Sequence, residues 1–449
     1  MLELYNSTDG PNWEDNEGWN VNNTPCSWKG VTCENGGVIE IAFYYNRLTG
    51  TIPDFSALPN LQMLSLQFNQ LTGTIPDFSA LPNLQELHLG ENKLTGTIPD
   101  FSALPNLKEL TLVNNKLTGT IPDFSALPNL QKLFLQYNQL IGTIPDFNAL
   151  PNLKKLDLDS NKLTGTIPDF GPLPNLKKLN LDSNKLTGTI PDFSALPNLQ
   201  GLFIQQNQLI GTIPDFNALP NLQDLYLQDN QLTGTIPDFG ALPNLQALVL
   251  ELNKLTGTIP DFSALFNLRN LILSDNQLIG TIPVSSSTLI NLEYLDLRNN
   301  LLCKKTDFNY SVWPIRQSRW YDYTTWQEQL ETFPVCTSSN QPPIAAFKVS
   351  PQQGQPPLTV TLDAGDSSDP DGTIVTYDWS VNGQPTSPDS GVTNSNIREM
   401  TFNTAGTYTI ELTVTDNDGL TDEAQKTVKV DETRTPDIRI EPTTLKFSQ

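Results

Sequence analysis

Histidine and cysteine are scarce in this sequence, and their scarcity excludes several kinds of active site. The 449 residues include a single histidine, His88, and four cysteines. Catalytic triads need a histidine within reach of a serine or cysteine nucleophile. With one histidine, and with cysteines whose placement favours disulfides, the sequence offers no such arrangement. We therefore expect a protein without enzymatic activity.

Long apolar runs and an excess of basic residues are also missing. No run of 18 apolar residues occurs, which is about the length that a membrane-spanning helix needs. Lysine and arginine number 26 against 49 aspartates and glutamates, a formal net charge of −23. Because an acidic chain repels nucleic acid and anionic membranes, we expect neither as a partner. Nothing in this fragment is expected to insert into a membrane.

The four cysteines form two separated pairs, Cys26/Cys33 and Cys303/Cys336, at the two ends of a repetitive region. This placement favours two disulfides and hence an oxidising compartment. A zinc site is the competing interpretation, but the spacings do not fit and His88 lies far away in sequence. No signal peptide is visible, and Met1 directly precedes LELYNSTDG, which suggests a start inside a longer gene product.

The repetitive region is built on LTGTIPDFSALPNL (71–84), which recurs about ten times between Leu48 and Leu268. Each copy follows a variable segment of the form LxxLxLxxN, and successive segments are 23 residues apart except for a last step of 24. The asparagines that close them are Asn46, Asn69, Asn92, Asn115, Asn138, Asn161, Asn184, Asn207, Asn230, Asn253, Asn276 and Asn300. A repeat of this length indicates a solenoid of stacked coils, and we expect twelve of them.

Within one coil, LxxLxL predicts a short strand whose leucines face the core, as Leu84, Leu87 and Leu89 would. Equivalent strands of neighbouring coils then lie about 4.8 Å apart in a parallel sheet. We expect the asparagine to turn inward and to bond backbone groups of its turn and of the next coil. Asp77 is placed to cap one turn of helix, and Phe78 to stack on its equivalents. The glycines are spread along the coils, so we expect no phosphate-binding loop.

Three motifs resemble plant-type leucine-rich-repeat proteins: LYNSTDGPNW (4–13), CSWKGVTC (26–33) and the repeat LxxLxLxxNxLxGxIP. The first two are similar to that family's N-terminal cap, and the resemblance extends from residue 1 to about residue 302. It implies a curved repeat solenoid with a parallel β-sheet on the concave face and short 3₁₀ or helical turns on the convex side. The period is one residue shorter than is common in that family.

Residues 303–340 are rich in aromatic side chains and predict a C-terminal cap. Four residues recur at helical spacing: Tyr323, Trp326, Leu330 and Phe333. We expect a helix that covers the last coil and is held by a Cys303–Cys336 disulfide. An aromatic ligand-binding cleft is the alternative. Residues 1–37 would form the N-terminal cap, and 38–302 the repeats.

Residues 341–431 differ, with short alternating runs such as LTVTL (358–362) between Gly, Pro and Asp turns. This pattern predicts an all-β sandwich. DSSDPDGTIVTYDW and FNTAGTYTIELTVTDNDG resemble a PKD domain, an immunoglobulin-like module, although WSVNG (379–383) replaces that family's usual WDFGDG. Residues 432–449 resemble a linker and the first strand of a further, truncated Ig-like domain. Nearly identical plant-type coils joined to such a module point to a bacterial surface protein.

Aspartates raise the question of metal binding in both regions. Asp366, Asp369 and Asp371 lie in the DSSDPDG loop, and the PKD resemblance implies calcium near it. Ordinary Asp–Gly turns explain the same residues. Equivalents of Asp77 form a ladder along ten coils. Capping explains this ladder without a metal, because calcium needs about six or more oxygens around one ion. We expect no cofactor other than this calcium.

Further carboxylates occur on the strand face of the repeats, at Asp157, Asp159 and Asp182. Because lysines surround them in sequence, we interpret them as a charge-paired, solvated surface.

The outward strand positions vary from coil to coil, whereas the scaffold residues barely change. The central outward position is occupied in turn by Ala42, Ser65, His88, Thr111, Phe134, Asp157, Asn180, Phe203, Tyr226, Val249, Ile272 and Asp296. Large apolar residues in four consecutive coils predict an exposed strip of the kind that marks an interaction site. The predicted partner-binding residues are Phe203, Tyr226, Val249, Leu252, Ile272 and Tyr294, with Phe134 and Tyr137 in a smaller spot. Relaxed constraint on a solvated face is the competing explanation.

Together these features predict a secreted or cell-surface recognition or adhesion protein, monomeric and non-enzymatic. Its concave face would bind a protein or a glycan of unknown identity, with the PKD-like module as a spacer. Two alternatives stay open. One is an accessory binding region of a larger secreted hydrolase, since PKD-like modules accompany such enzymes. The other is a purely structural surface stalk.

Overall fold

The computed structural model describes residues 1–171, 173–283, 289–305, 326–336, 341–370, 372–382, 384–385, 396–417 and 420–431. Two compact units make up the chain, Met1–Leu278 with Ile282–Val335, and Ile279–Thr281 with Cys336–Gln449. Three predictions lie outside the described residues: Asp371 in the calcium loop, Tyr323 in the cap helix, and the strand in 432–449. The boundaries drawn from the sequence between caps, repeats and module stay predictions.

The N-terminal cap covers the apolar end of the coil stack. It contains a helix at Leu2–Ser7, 3₁₀ turns at Gly10–Asn12 and Pro25–Ser27, and a strand at Val31–Glu34. Trp13, Trp19 and Trp28 are buried, and Trp13 and Trp19 pack against Phe43 of the first coil. All four cysteines are disulfide-bonded, and Cys26 is bonded to Cys33. A solenoid needs such an atypical end, because its stacked core would otherwise be open to water.

One sheet runs through the first unit and contains thirteen strands among the described residues. Its first strand, Val31–Glu34, is antiparallel to the second. The others are parallel: Gly37–Ala42, Met63–Ser65, Glu86–His88, Glu109–Thr111, Lys132–Phe134, Lys155–Asp157, Lys178–Asn180, Gly201–Phe203, Asp224–Tyr226, Ala247–Val249, Asn270–Ile272 and Tyr294–Asp296. Leu87 lies beside Leu64 and Leu110 of the neighbouring coils. Each position of the repeat therefore forms a column across the sheet.

The leucines of the repeat fill the space behind this sheet. Leu84, Leu87 and Leu89 are 0% exposed, as predicted, and Phe78 is 1% exposed. The ring of Phe78 stacks on that of Phe55 in the preceding coil, with centroids 6.4 Å apart. Burial of each large apolar side chain stabilises the fold by roughly 1.5–3 kcal/mol. Because every coil repeats this contribution, the scaffold positions hardly vary between coils.

The repeated asparagines bond the backbone of two coils at once. Asn69 accepts hydrogen bonds at Oδ1 from the amides of Asn46 and Leu48, both at 3.0 Å. Its Nδ2 donates to the carbonyls of Phe43 at 2.7 Å and Leu66 at 3.0 Å. The partners outside its own coil belong to the preceding coil, so the prediction that asparagine bonds the next coil is wrong. The reason is that backbone amides at this bend point toward the following coil, and they meet the asparagine of that coil.

The convex side consists of successive turns of the 3₁₀ type. Leu81 donates its amide to the carbonyl of Phe78 at 2.9 Å, and Leu84 donates to Leu81 at 3.0 Å. Asp77 accepts from the amide of Ser79 at 2.8 Å and from its hydroxyl at 2.9 Å. Asp77 thus caps one turn, as predicted, and this turn is of the 3₁₀ type. A helix cannot continue here because Pro82 has no amide hydrogen to donate.

The repeated glycine between the strand and the convex side of each coil is required, as Gly73 shows. Gly73 has φ of +78°, and a Cβ on it would lie 2.9 Å from Cγ2 of Thr51 in the preceding coil. Neither the backbone conformation nor the space would suit another residue. Short strands occur at this side, at Thr164–Gly165, Lys185–Leu186, Ile210–Thr212, Gln231–Thr233 and Leu301–Cys303. A further short strand, Ile279–Thr281, belongs to the second unit.

The C-terminal cap contains a helix, Trp326–Thr332. Trp326 is 4% exposed and belongs to the core of the first unit. Gln329, 3% exposed, donates its Nε2 to the carbonyl of Leu295 at 3.1 Å and accepts from the amide of Leu297 at 3.4 Å. The glutamine therefore bonds the backbone edge that the last strand of the sheet would leave open.

The second unit is a β-sandwich, with a three-stranded and a five-stranded sheet among the described residues. The first holds Lys348–Ser350, Leu358–Asp363 and Ile397–Phe402, and the second Gln353–Gly354, Thr421–Val430, Gly406–Asp416, Ile374–Val381 and Gln384–Pro385. Ile410, Leu412 and Val414 alternate along one strand and are 0% exposed. Trp379 packs edge-on against Phe347, with ring centroids 5.1 Å apart. The alternating sequence pattern thus matches one buried face per strand.

Candidate partner-binding surface

Four of the predicted binding residues lie side by side on the concave sheet. Phe203, Tyr226, Val249 and Ile272 are direct neighbours because their strands pair in register. Phe203, Tyr226 and Ile272 are half-buried. The parallel sheet therefore converts residues 23 positions apart in sequence into one continuous column.

Phe203 and Tyr226 form what we call the aromatic shelf. Their rings stack with centroids 5.2 Å apart and planes 26° from parallel. Gly201 makes room for this arrangement, because a Cβ there would lie 2.6 Å from Cε2 of Phe203. The Nζ of Lys178 lies 5.1 Å from the Phe203 ring centroid, within cation–π distance. Stacking and partial burial restrict the orientations of both rings.

Val249 does not belong to an exposed strip. It is 6% exposed, and Ala247 on the same strand is 2% exposed. Tyr226 and Ile272 flank Val249 at a strand spacing of about 4.8 Å, and these larger side chains cover it. The prediction of a continuous exposed strip is therefore wrong at this position. Tyr294 is half-buried and lies in the adjacent column.

Leu252 occupies a position where the backbone φ is positive in coil after coil. The residues that share it are Tyr45, Phe68, Glu91, Asn114, Tyr137, Ser160, Ser183, Gln206, Asp229, Leu252, Asp275 and Asn299. This conformation costs an L-residue roughly 1 kcal/mol or more, and glycine or asparagine is its usual occupant. Leu252 and Tyr137 nevertheless occupy it and are 50% and 55% exposed. Large side chains therefore project at this edge of the sheet despite the backbone cost.

The smaller predicted spot is separate from the shelf. Phe134 lies in the same column as Phe203 but three coils earlier, with Asp157 and Asn180 between them. Phe134 is half-buried, and Tyr137 on the same coil is exposed. The structure does not bring Phe134 or Tyr137 into the shelf.

The carboxylates between these two spots are buried rather than solvated. Asp157 is 6% exposed and Asp159 is 7% exposed. Asp157 accepts a hydrogen bond from Nδ2 of Asn180 at 3.0 Å, and Nζ of Lys178 lies 3.6 Å from its other oxygen. Asp159 accepts from the hydroxyl of Ser160 at 2.8 Å. The interpretation as solvated surface is wrong for both, because their columns are covered by side chains of the adjoining coils.

Asp182, one coil further on, is half-buried. Burial raises its pKa to about 6, against the opposing hydrogen bond from the Ser183 hydroxyl, and the charge of Asp159 raises it further. Burial likewise raises the pKa of Asp159. Both carboxyl groups therefore hold a proton more tightly than a fully solvated aspartate does.

The predicted calcium loop is partly described. Asp366 pairs with Lys348, with 2.9 Å between Oδ2 and Nζ, and Asp369 is 7% exposed. Within the described ranges, no cluster of three or more His, Cys, Asp or Glu side chains has a geometry that could hold a metal ion. Calcium binding by Asp366, Asp369 and Asp371 stays a prediction.

The gap above Gly201 that the Phe203 ring fills was not predicted from the sequence, although a signal for it exists. Gly201 and Ala247 are small residues in a column whose neighbours are Lys178, Asp224 and Asn270. Gly201 and Ala247 lie two coils apart in a column of otherwise large, polar side chains. Small residues at such positions indicate that side chains of the neighbouring column, such as Phe203, fill the space above them.

None of the helices in the described ranges combines the length and apolarity that crossing a membrane requires.

Family comparisons identify both units. The leucine rich repeat N-terminal domain matches residues 1–34. Leucine rich repeat families match residues 59–103, 82–140, 105–163, 174–232 and 267–289. The PKD domain matches residues 340–431. Modules of both kinds are typically non-catalytic and serve in binding.

Individual relatives are partial. A microbial collagenase of Vibrio alginolyticus is 29% identical over 145 residues, which is 30% of this chain and 17% of the collagenase. Among solved structures, PEPR1–AtPEP1 has a TM-score of 0.62 and 34% identity, over 68% of this chain and 45% of that one. The Arabidopsis receptor kinase HAESA, solved with the peptide hormone IDA and the co-receptor SERK1, has a TM-score of 0.60 and 36% identity, over 64% and 50%. The chain thus spans half or less of each.

Proposed function

Because this chain is a leucine-rich-repeat protein followed by a PKD domain, we propose that it binds a protein or peptide partner on its concave sheet, centred on the aromatic shelf. The observation that carries the proposal is the stacked pair of rings of Phe203 and Tyr226, in which Phe203 fills the space left by Gly201. Aromatic side chains held rigidly are strong contributors to binding, because little conformational entropy is lost when a partner docks. Leu252 and Ile272 extend the apolar contact area beside the rings.

Two comparisons support a peptide or protein as the partner. HAESA was solved with a peptide hormone and PEPR1 with AtPEP1, and both share the repeat fold with this chain. A glycan remains the other class of ligand that stacked aromatic rings accommodate. In this proposal the second unit is a spacer and the protein is secreted or exposed at a bacterial cell surface, as its disulfides support.

A peptide-display experiment tests the proposal. The full chain is panned against a random peptide library in parallel with a Phe203→Ala, Tyr226→Ala double variant. We expect the wild-type chain to enrich a family of peptides that the double variant fails to retain, with affinity reduced at least about tenfold, or 1.4 kcal/mol. Val249→Asp is unsuitable as a probe, because it would bury a charge.

The matched control is Phe134→Ala, which removes a half-buried ring from the same column three coils away. It is expected to retain the selected peptides with unchanged affinity. Selected peptides that bind wild type and double variant equally well would rule out the shelf as the site.

The second candidate function is an accessory binding region of a secreted hydrolase. It is favoured by one observation, the partial match to a microbial collagenase. If this candidate holds, the chain should sediment with insoluble collagen, and the Phe203→Ala, Tyr226→Ala variant should sediment equally well. Absence of the chain from the collagen pellet would oppose it.

A further inference from the structure

The coils around the aromatic shelf carry acidic residues without basic ones beside them. Their outward segments are GLFIQQ (201–206), DLYLQD (224–229), ALVLEL (247–252) and NLILSD (270–275). These segments contain Asp224, Asp229, Glu251 and Asp275, and no lysine, arginine or histidine. In each of the three preceding coils, the first residue of the strand is instead a lysine: Lys132, Lys155 and Lys178. The shelf therefore lies in a region of net negative charge, which Lys178 near Asp224 and Arg298 near Glu251 offset only in part.

Basic side chains at the borders of this region already have acidic partners. Lys178 lies 3.6 Å from Asp157 and over the Phe203 ring. Arg298 at the other end pairs with Asp296, with 2.7 Å between Nη2 and Oδ2. The negative charge beside the shelf is thus open to a cation that a partner brings.

Glu251 is the best placed of the four carboxylates. It is half-buried and accepts a hydrogen bond from the Ser274 hydroxyl at 3.3 Å. Burial raises its pKa, and the nearby charges of Asp296 and Asp275 add to this effect, while Arg298 opposes it. A carboxylate in such surroundings gains more from an approaching guanidinium or ammonium group than a fully solvated one does.

The spacing between Glu251 and the shelf fits neighbouring side chains of one peptide. Tyr226 lies directly beside Val249 in the adjacent coil, and Glu251 follows Val249, the last residue of that strand, by two residues. This corresponds to about 5 Å across the sheet and about 7 Å along the strand. An arginine or lysine side chain next to an apolar residue spans that distance.

We propose that the aromatic shelf binds a basic peptide segment, in which an aromatic or aliphatic side chain stacks on Phe203 and Tyr226 while an adjacent arginine or lysine pairs with Glu251 and Asp229. This inference rests on the proposed function and adds the chemistry of the partner. A metal ion is not the cation in question, because no described cluster of carboxylates could hold one.

Three synthetic heptapeptides test the inference. Each has a central phenylalanine, flanked on both sides by arginine, by glutamine or by glutamate, and carries a fluorophore for anisotropy measurements with the full chain. We expect the arginine peptide to bind at least about tenfold more tightly than the glutamine peptide, and the glutamate peptide to bind most weakly. The preference should shrink on going from about 50 mM to about 300 mM NaCl, because salt screens partly exposed charges.

Glu251→Gln is the matched protein variant, since it keeps the size of the side chain and removes only the charge. It should weaken binding of the arginine peptide by about three- to tenfold and leave the glutamine peptide unchanged. Glu86→Gln, on the same sheet five coils before the shelf, is the control and should change neither affinity.

The two proposals fail in different ways. Equal binding of all three peptides, lost in the Phe203→Ala, Tyr226→Ala variant, would overturn the basic partner while leaving the shelf as the binding site. An arginine preference unchanged by Glu251→Gln would also overturn the pairing proposed here. Absence of binding by the arginine peptide, alongside successful library selection, would overturn it as well.

Discussion

At the scale of single residues, this molecule places side chains in surroundings that oppose their own preferences. Leu252 and Tyr137 occupy a left-handed backbone position that suits glycine or asparagine, and Asp159 and Asp182 are carboxyl groups partly removed from water. Each of these choices costs stability, and each lies on the concave face. Costs of this kind persist where a residue is needed for a contact outside the fold.

Asp182 gives this idea a pH test. Burial raises its pKa to about 6 in the folded chain, well above the usual range of an aspartate, so the folded state holds the proton more tightly than the unfolded state. The contribution of Asp182 to stability therefore falls as pH rises from about 4 through 6. Asp182→Asn should raise the urea midpoint at about pH 7.5, by the equivalent of about 1–2 kcal/mol after allowance for partial solvation, and change it little at about pH 4.

Asp100 is the opposite case and serves as the control. Hydrogen bonds from Ser102 lower its pKa, so its contribution to stability is present above the unfolded pKa and is lost as pH falls through the folded pKa. Asp100→Ala should therefore lower the urea midpoint at pH 7.5 and have less effect in acid. A midpoint that rises equally at both pH values in Asp182→Asn would show that charge burial is not the cause.

At the scale of elements, each coil is stabilised by hydrogen bonds between the asparagine side chain and backbone groups at its bend. Asn161 shows the general pattern, accepting from the amide of Leu140 at 3.0 Å and donating to the carbonyls of Leu135, Leu158 and Asp159, each at 3.1 Å. These groups lie in a bend, where the parallel sheet provides no regular partner for them. The asparagine side chain thus provides the hydrogen bonds that strand pairing cannot provide where the chain turns.

Asn161→Ala should consequently destabilise the first unit strongly. It would leave several buried backbone groups unbonded at about 1–3 kcal/mol each, so we expect a loss of about 3 kcal/mol or more, read from the urea midpoint. Asn83→Ala is the control, because Asn83 is exposed and donates its Nδ2 to the carbonyl of Pro59 at 3.0 Å on the surface. A loss of stability no larger than that of the control would contradict the role proposed for the repeated asparagines in bonding the backbone at the bends.

The sequence was sufficient to predict the elements but not the surface they present. Leucines at LxxLxL positions can be assigned to the core because the same residues recur in the same places, and Leu87 confirms it. Val249 could not be assigned, because its exposure depends on the sizes of Tyr226 and Ile272, which lie 23 residues away on either side. The positive φ of Leu252 was equally hidden, because leucine does not favour that conformation.

At the scale of the whole molecule, the first unit is a stack whose internal coils each contact only their neighbours. Stability of such a chain is approximately a sum over coils and the interfaces between them. The caps differ, since Trp13 and Trp19 cover one end of the core, and Gln329 bonds the backbone at the other.

Removal of one complete coil, residues 93–115, should therefore leave a folded protein. The deletion joins Asn92 to Lys116, which restores the sequence pattern NKL, and every internal contact is replaced by its equivalent. We expect a cooperative unfolding transition with a midpoint close to wild type and unchanged binding at the shelf. Deletion of residues 93–103, which breaks the register, should abolish cooperative unfolding as followed by circular dichroism.

The register of the coils also determines how the molecule can change over generations. Because coils are nearly identical and superimpose in register, recombination between their coding sequences can insert or remove a coil without disturbing the hydrogen bonds on either side. Each such event would move the shelf relative to the N-terminal cap by about 4.8 Å. The distance between the N-terminal cap and the shelf can therefore change in steps of whole coils, while the residues of the shelf stay the same.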